Sequence, residues 1–153
     1  MEMVIKMDIL TLRGHHILCS RLFSGYGYSE DFAKRMGEVV SRTGLKNYKV
    51  PIEYERVEKV RLICSHDYVC QKCPNLINEN TRVFCDLGDD DVRSKDKKTL
   101  EYTGLKENSI YTLEEIESGI EKITEEQFTE ICGTCRWFKA GYCMYERLVK
   151  SRP

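Results

Sequence analysis

No uncharged run in the 153 residues approaches the ~18 apolar positions of a membrane-spanning helix, which excludes a helical transmembrane segment. Charge of one sign is equally lacking. The formal net charge is -1 although 32% of the residues are charged, so there is no overall basic field for nucleic acid or an anionic membrane. The N-terminus has no unbroken apolar stretch of the secretory kind, because Glu2, Lys6, Asp8 and Arg13 interrupt its hydrophobic residues. The expected compartment is the reducing cytoplasm, where closely spaced thiols are ligands or redox groups more often than disulfides. Cysteine is also too sparse for a disulfide scaffold: eight residues are about one in twenty, below the ~8–10% of such chains. Their grouping is more informative than their number.

Three of them fall between Cys132 and Cys143, in the order Cys132-Gly133-Thr134-Cys135-Arg136-Trp137 and then Gly141-Tyr142-Cys143. Two thiols separated by two residues can reach one ion, and Gly133 allows the left-handed turn such a loop often uses. Trp137 is placed as an apolar lid. A tetrahedral or cluster site still needs a fourth ligand, and Cys19 is one source of it. A second nest follows the same spacing at Cys70 and Cys73, with Cys85 further on. Cys64, Cys70, Cys73 and Cys85 could make a four-thiolate site by themselves, or Cys70, Cys73 and Cys85 could mirror the C-terminal triplet. Whether the thiols make one site or two is open at this stage.

The length of 153 residues fits one domain with a real core. Met3, Ile5, Met7 and Ile9 alternate as in a half-buried strand, with a phase shift that continues through Leu10 and Leu12. Gly14 then releases a short helix over 15–23 that carries His15, His16 and Cys19. On a helix the two histidines diverge, so at most one faces a site. Ser29 caps a helix running to about Thr43 and closed by Gly44. Strands are expected at Tyr48–Tyr54, with Pro51 marking a sheet edge, and at Val60–Ile63, joined as a hairpin. Asp89, Asp90 and Asp91 open a polar cover helix with Val92 and Leu100 as its apolar contacts. Thr112-x-x-Glu115 and Thr124-x-x-Gln127 are capping boxes, and each starts a helix. The second of these ends at Cys132-Gly133, and a basic segment follows. The fold class is α+β, a small sheet covered by helices with cysteine-rich loops in both halves.

These motifs resemble the uncharacterised domain of unknown function 1284. The resemblance rests on Leu12-Arg13-Gly14-His15-His16-Ile17-Leu18-Cys19, Gly27-Tyr28-Ser29, Asp67-x-x-Cys70, Cys85 and Cys132-x-x-Cys135-Arg136-Trp137 with Cys143. It implies an iron–sulfur protein, with no reaction attached.

The ferredoxin run of C-x-x-C-x-x-C-x-x-x-C is absent, so a dedicated low-potential ferredoxin is not indicated. The sequence reading is therefore a protein that binds an iron–sulfur cluster, a 4Fe-4S cluster by expectation. Its ligands are Cys132, Cys135 and Cys143, completed from Cys19, Cys70, Cys73 and Cys85, and its partner is a redox or protein partner. Zinc accepts the same thiolates, so a structural zinc domain acting as an interaction module is the alternative. A second alternative is an enzyme in which Arg13, His15 and His16 bind an anionic substrate beside the cluster.

Overall fold

The structure is a computed structural model that describes residues 9–23, 25, 29–45, 54–79, 82–85, 87–133, 135–141 and 144–149. Strand β1 (Ile9–Arg13) leads into helix α1 (His16–Leu22). Leu10 and Leu12 are buried and Ile9 is exposed, as the shifted alternation requires. Met3 to Asp8 lie outside the described residues, as does most of the strand expected at Tyr48–Tyr54 with its edge proline. The expected hairpin to Val60–Ile63 is not formed, because the strand at Lys59–Ile63 has one edge paired with Ile9–Arg13 and the other with Ser109–Thr112.

Helix α2 (Glu30–Thr43) has the expected ends: the Ser29 hydroxyl accepts from the Phe32 N–H at 3.1 Å, and Gly44 closes the helix in the left-handed region at φ 56°. Its apolar stripe of Phe32, Met36, Val39 and Val40 is buried. Each such side chain contributes roughly 1.5–3 kcal/mol through removal from water.

Strand β2 (Lys59–Ile63) pairs parallel to β1, with Leu12 opposite Leu62 and Arg13 opposite Ile63. Parallel pairing sends both strands out of the sheet at the same end. The loop after Arg13 and the loop after Ile63 therefore leave together, and both carry motif residues.

The second loop holds a single 3-10 turn at Cys70–Lys72 and continues into an antiparallel hairpin of β3 (Leu76–Glu79) and β4 (Arg82–Cys85). Helix α3 spans Asp89–Thr103. Strand β5 (Ser109–Thr112) then adds antiparallel to β2, giving a mixed sheet of order β1-β2-β5. Neither β5 nor the hairpin is expected from the sequence. Four residues are too few for a two-residue period to stand out, and β5 runs directly into the cap of the next helix.

Helices α4 (Leu113–Ile120) and α5 (Glu125–Cys132) both begin with the expected capping boxes. The Thr112 hydroxyl accepts from Glu115 N–H at 3.2 Å and the Thr124 hydroxyl from Gln127 N–H at 3.1 Å. Ile116, Ile120, Ile123, Phe128 and Ile131 are buried in the core. Short helices α6 (Arg136–Lys139) and α7 (Tyr145–Val149) complete the chain, and α7 is tied to α1 where buried Arg21 donates to the Leu148 carbonyl. The result is the expected small α+β fold. No described helix is long and apolar enough to cross a membrane.

Candidate metal centre

Arg13, Gly14, His15 and His16 form the turn between β1 and α1. Gly14 N–H donates to the Ile63 carbonyl at 2.9 Å, which continues the parallel ladder into the turn. A Cβ on Gly14 would lie 2.7 Å from the carbonyl oxygen of Asp96 on α3. Glycine is needed there for close approach of two backbones.

That approach brings the Asp96 carboxylate, fully buried, against the turn. Its Oδ2 accepts from Arg13 Nε and Nη2, both at 2.9 Å, while its Oδ1 accepts from the His15 N–H at 3.1 Å and from His15 Nδ1 at 2.6 Å. A second buried carboxylate does the same from the other side. Asp67 Oδ2 accepts from the Arg13 N–H at 2.8 Å and His16 Nδ1 at 2.7 Å, and its Oδ1 accepts from the Cys70 N–H at 2.9 Å.

An ionised carboxylate can only accept, so each histidine carries a proton on Nδ1, the tautomer that in a neutral imidazole leaves the lone pair on Nε2. Both carboxylates are ionised. Burial would raise the Asp67 pKa, yet the imidazole of His16 and the N–H groups of Arg13 and Cys70 outweigh it and hold the acid well below the usual carboxylate range. Asp96 is lowered in the same way, its burial outweighed by His15 and Arg13. His15 is lowered to about 4 by burial and by the neighbouring His16, so it is a neutral imidazole at pH 7.

The thiols approach from several directions. The Asp67 carboxylate, by accepting from Cys70, fixes the start of the 3-10 turn, and Cys73 N–H then donates to the Cys70 carbonyl at 3.0 Å. The Leu76 N–H donates to the Cys73 carbonyl at 3.1 Å, and hydrogen bonding by Asn75 and Leu76 partly offsets the burial that raises the Cys73 pKa. Cys85 lies opposite Leu76 on the hairpin and close enough to Cys73 for their charges to repel. Cys19 is one helical turn beyond His15, and its N–H donates to the His15 carbonyl at 3.2 Å. Cys132 ends α5, and Cys135 N–H donates to its carbonyl at 2.9 Å.

Gly133 does not take the left-handed backbone expected of it: its φ is -59°. Its small size is what the turn uses, since a Cβ would lie 2.4 Å from the Thr129 carbonyl oxygen.

All these groups meet at one cavity of about 110 Å³. Cys19, Cys70, Cys73, Cys85, Cys132 and Cys135 line it together with Arg13, His15 and His16. Its remaining wall is mostly apolar and includes Phe32, Met36, Ile131 and Trp137. Both histidines line the cavity, contrary to the expectation that at most one would. Helical divergence does not apply to them, because His15 precedes the helix and each ring is drawn to a different carboxylate; the ring centroids are 4.6 Å apart.

Cys143 lies outside the described residues. Cys64 is buried in the core away from the cavity lining, and burial pushes its thiol up to about 11. No disulfide joins any two of the described cysteines. Arg13 is almost wholly buried, with its guanidinium engaged by Asp96 and by the Cys70 sulfur, to which Nη1 donates at 3.5 Å.

The donor set suits a soft or borderline metal: thiolates and imidazoles hold zinc, iron–sulfur clusters and copper, whereas magnesium and calcium require oxygen. Potential ligand atoms of His16, Asp67 and Cys70 lie within 4.8 Å of one another, a group able to hold a metal ion. Cys70 is raised to about 12 by burial and by the charge of Asp67, so binding there would displace a proton.

Sequence reasoning noticed Asp67 only as part of a motif and passed over Asp96 altogether. A signal existed. Val92, Asp96, Thr99, Leu100 and Thr103 recur at helical spacing, and all five are buried. An aspartate at a core position of an otherwise solvated helix requires a buried partner.

No curated protein and no solved structure matches the chain. One family matches residues 27–141, a span that contains Asp67, Asp96 and every cavity cysteine except Cys19. The Leu12–Cys19 motif and Cys143 fall outside it. By that match the chain belongs to the family described as Protein of unknown function (DUF1284).

Proposed function

We propose that the protein binds an iron–sulfur cluster in this cavity and serves a redox or cluster-dependent role in a reducing compartment. The observation that carries the reading is convergence: six thiols from α1, the Cys70 turn, the β3–β4 hairpin and the α5–α6 junction line one space. Sequence separation of this size brings no benefit to free thiols, but a shared group rewards it by coupling ligand binding to folding.

Spacing favours a cluster over a single ion. Sulfurs around tetrahedral zinc, at ~2.3 Å from the metal, lie about 3.8 Å apart. Among the described residues, the group of three donors within 4.8 Å contains a single thiol. Thiols spread around a wider space suit a group that has its own volume. The apolar wall would exclude water and so help set the potential. A bound cluster supplies one-electron transfer or a Lewis-acidic iron. The chain supplies ligands, hydrogen bonding at Cys73 from Asn75 and Leu76, and the Arg13 donor toward Cys70, each of which stabilises negative sulfur.

Zinc is the second reading. It is favoured by the Cys70–Cys73 turn, whose N–H groups and following hairpin also suit a closed four-ligand zinc site. Iron, zinc and acid-labile sulfide should be measured in anaerobically purified protein. Iron and sulfide in similar amounts support the cluster; zinc near one per chain without sulfide sinks it.

A further inference from the structure

Both histidines of the Arg13–His16 turn are held by buried carboxylates, and their surroundings differ. We infer that His16 is a nitrogen ligand of the metal centre, presented by Asp67 as its positioning residue. The inference rests on the cavity being a metal centre.

The first support is orientation. His16 lines the cavity and Asp67 does not, so the carboxylate stands behind the ring. Asp67 accepts a hydrogen bond from His16 Nδ1 at 2.7 Å, and in the neutral imidazole this tautomer puts the ring's lone pair on Nε2. Imidazole ligands are commonly held in this way, with a carboxylate on the second nitrogen fixing tautomer and ring angle.

The second support is proximity. Among the described residues, His16, Asp67 and Cys70 form a group of ligand atoms within 4.8 Å of one another. Asp67 is already committed: its two oxygens accept from the Arg13 and Cys70 N–H groups as well as from His16. Of the three residues, His16 and Cys70 line the cavity and Asp67 does not.

Asp67 therefore sets both at once. One oxygen orients the imidazole and the other caps the turn that begins at Cys70, so a single buried side chain fixes the spacing between a nitrogen and a sulfur ligand. His15 has a comparable carboxylate in Asp96, but among the described residues it belongs to no group of three close donors, and its side chain is 17% exposed against 9% for His16. Replacing a thiolate by imidazole raises the reduction potential of an iron–sulfur centre, so the ligand choice would tune the centre as well as hold it.

The test is pulsed electron paramagnetic resonance on anaerobically reconstituted, dithionite-reduced protein carrying 15N-histidine. The expected result is a strong nitrogen coupling that changes with the isotope, persists in His15→Gln and is lost in His16→Gln. A paramagnetic cluster without a histidine coupling in the unsubstituted protein overturns the inference, and that arm needs no variant to fold. So does a coupling that survives in His16→Gln.

If the protein takes up no iron, the cluster reading fails by itself, and cobalt(II) titration followed by visible d–d absorption decides about His16. There His16→Gln and Asp67→Asn should each weaken cobalt binding by about 10–100-fold. Affinities within twofold of the unsubstituted protein would overturn the assignment.

Discussion

Gly14 and Asp96 approach so closely that the glycine's missing Cβ would sit 2.7 Å from the aspartate's carbonyl oxygen and 3.1 Å from its Cα. The obstacle is helix backbone, which cannot swing aside as a side chain could. Gly14→Ala should therefore push α3 from the β1–α1 turn and cost about 1–3 kcal/mol, the range for overpacking a tight contact. Urea denaturation of the metal-free protein measures it. An alanine variant as stable as the original would mean that α3 shifts freely and does not lock the turn.

Asp96 balances the buried charge of Arg13. Removing one member of such a pair strands the other, so Asp96→Leu and Arg13→Met should each cost roughly 3–5 kcal/mol. The double variant Arg13→Met with Asp96→Leu should recover much of that loss, because no charge is left unpaired. If the two single substitutions are additive in the double variant, the residues are not coupled in the way their 2.9 Å contacts indicate.

Much of the fold was legible because its signals are local. Ser29, Gly44, Thr112 and Thr124 announce helix ends by chemistry confined to four or five residues, and the structure places the caps where that chemistry requires. The cysteine spacing was equally legible. What the sequence did not reveal is non-local. Asp96 meets Arg13 across 83 positions, and both histidines line one cavity because each is held by a carboxylate distant in sequence, His15 by Asp96 and His16 by Asp67. Cys64 and Cys70 are near in sequence but part company because one thiol is buried in the core and the other sits on a turn capped by Asp67.

Asp96 also gives stability a dependence on acidity. Its pKa is lower in the folded protein than in the unfolded chain, so the unfolded state binds the proton more readily as the pH falls. Its contribution is complete above the unfolded value of about 3.9 and is lost as the pH drops through the folded value. Unfolding free energy of the metal-free protein should fall below about pH 4. Asp96→Asn should start lower and show a shallower decline. A variant whose acid profile parallels the original would remove Asp96 as a source of that slope.

Because Cys19, Cys70, Cys85 and Cys132 come from separate elements, loss of the metal should loosen the whole domain. Chelation should lower the melting temperature, and amide exchange should speed up in α1 and α5 as well as in the Cys70 turn. Exchange changes confined to the Cys70 turn would indicate a peripheral site.

The central claim is that thiols from both halves hold one coloured, redox-active group, and visible absorption measures it most directly, since thiolate- and sulfide-bound iron absorbs while zinc has a filled d shell. Anaerobically purified protein should be brown, and its band should bleach with dithionite. Cys73→Ser and Cys132→Ser should each remove most of the band, whereas Cys64→Ala should retain it. A colourless folded protein indifferent to dithionite, or a band that survives loss of either Cys73 or Cys132 undiminished, would contradict the account.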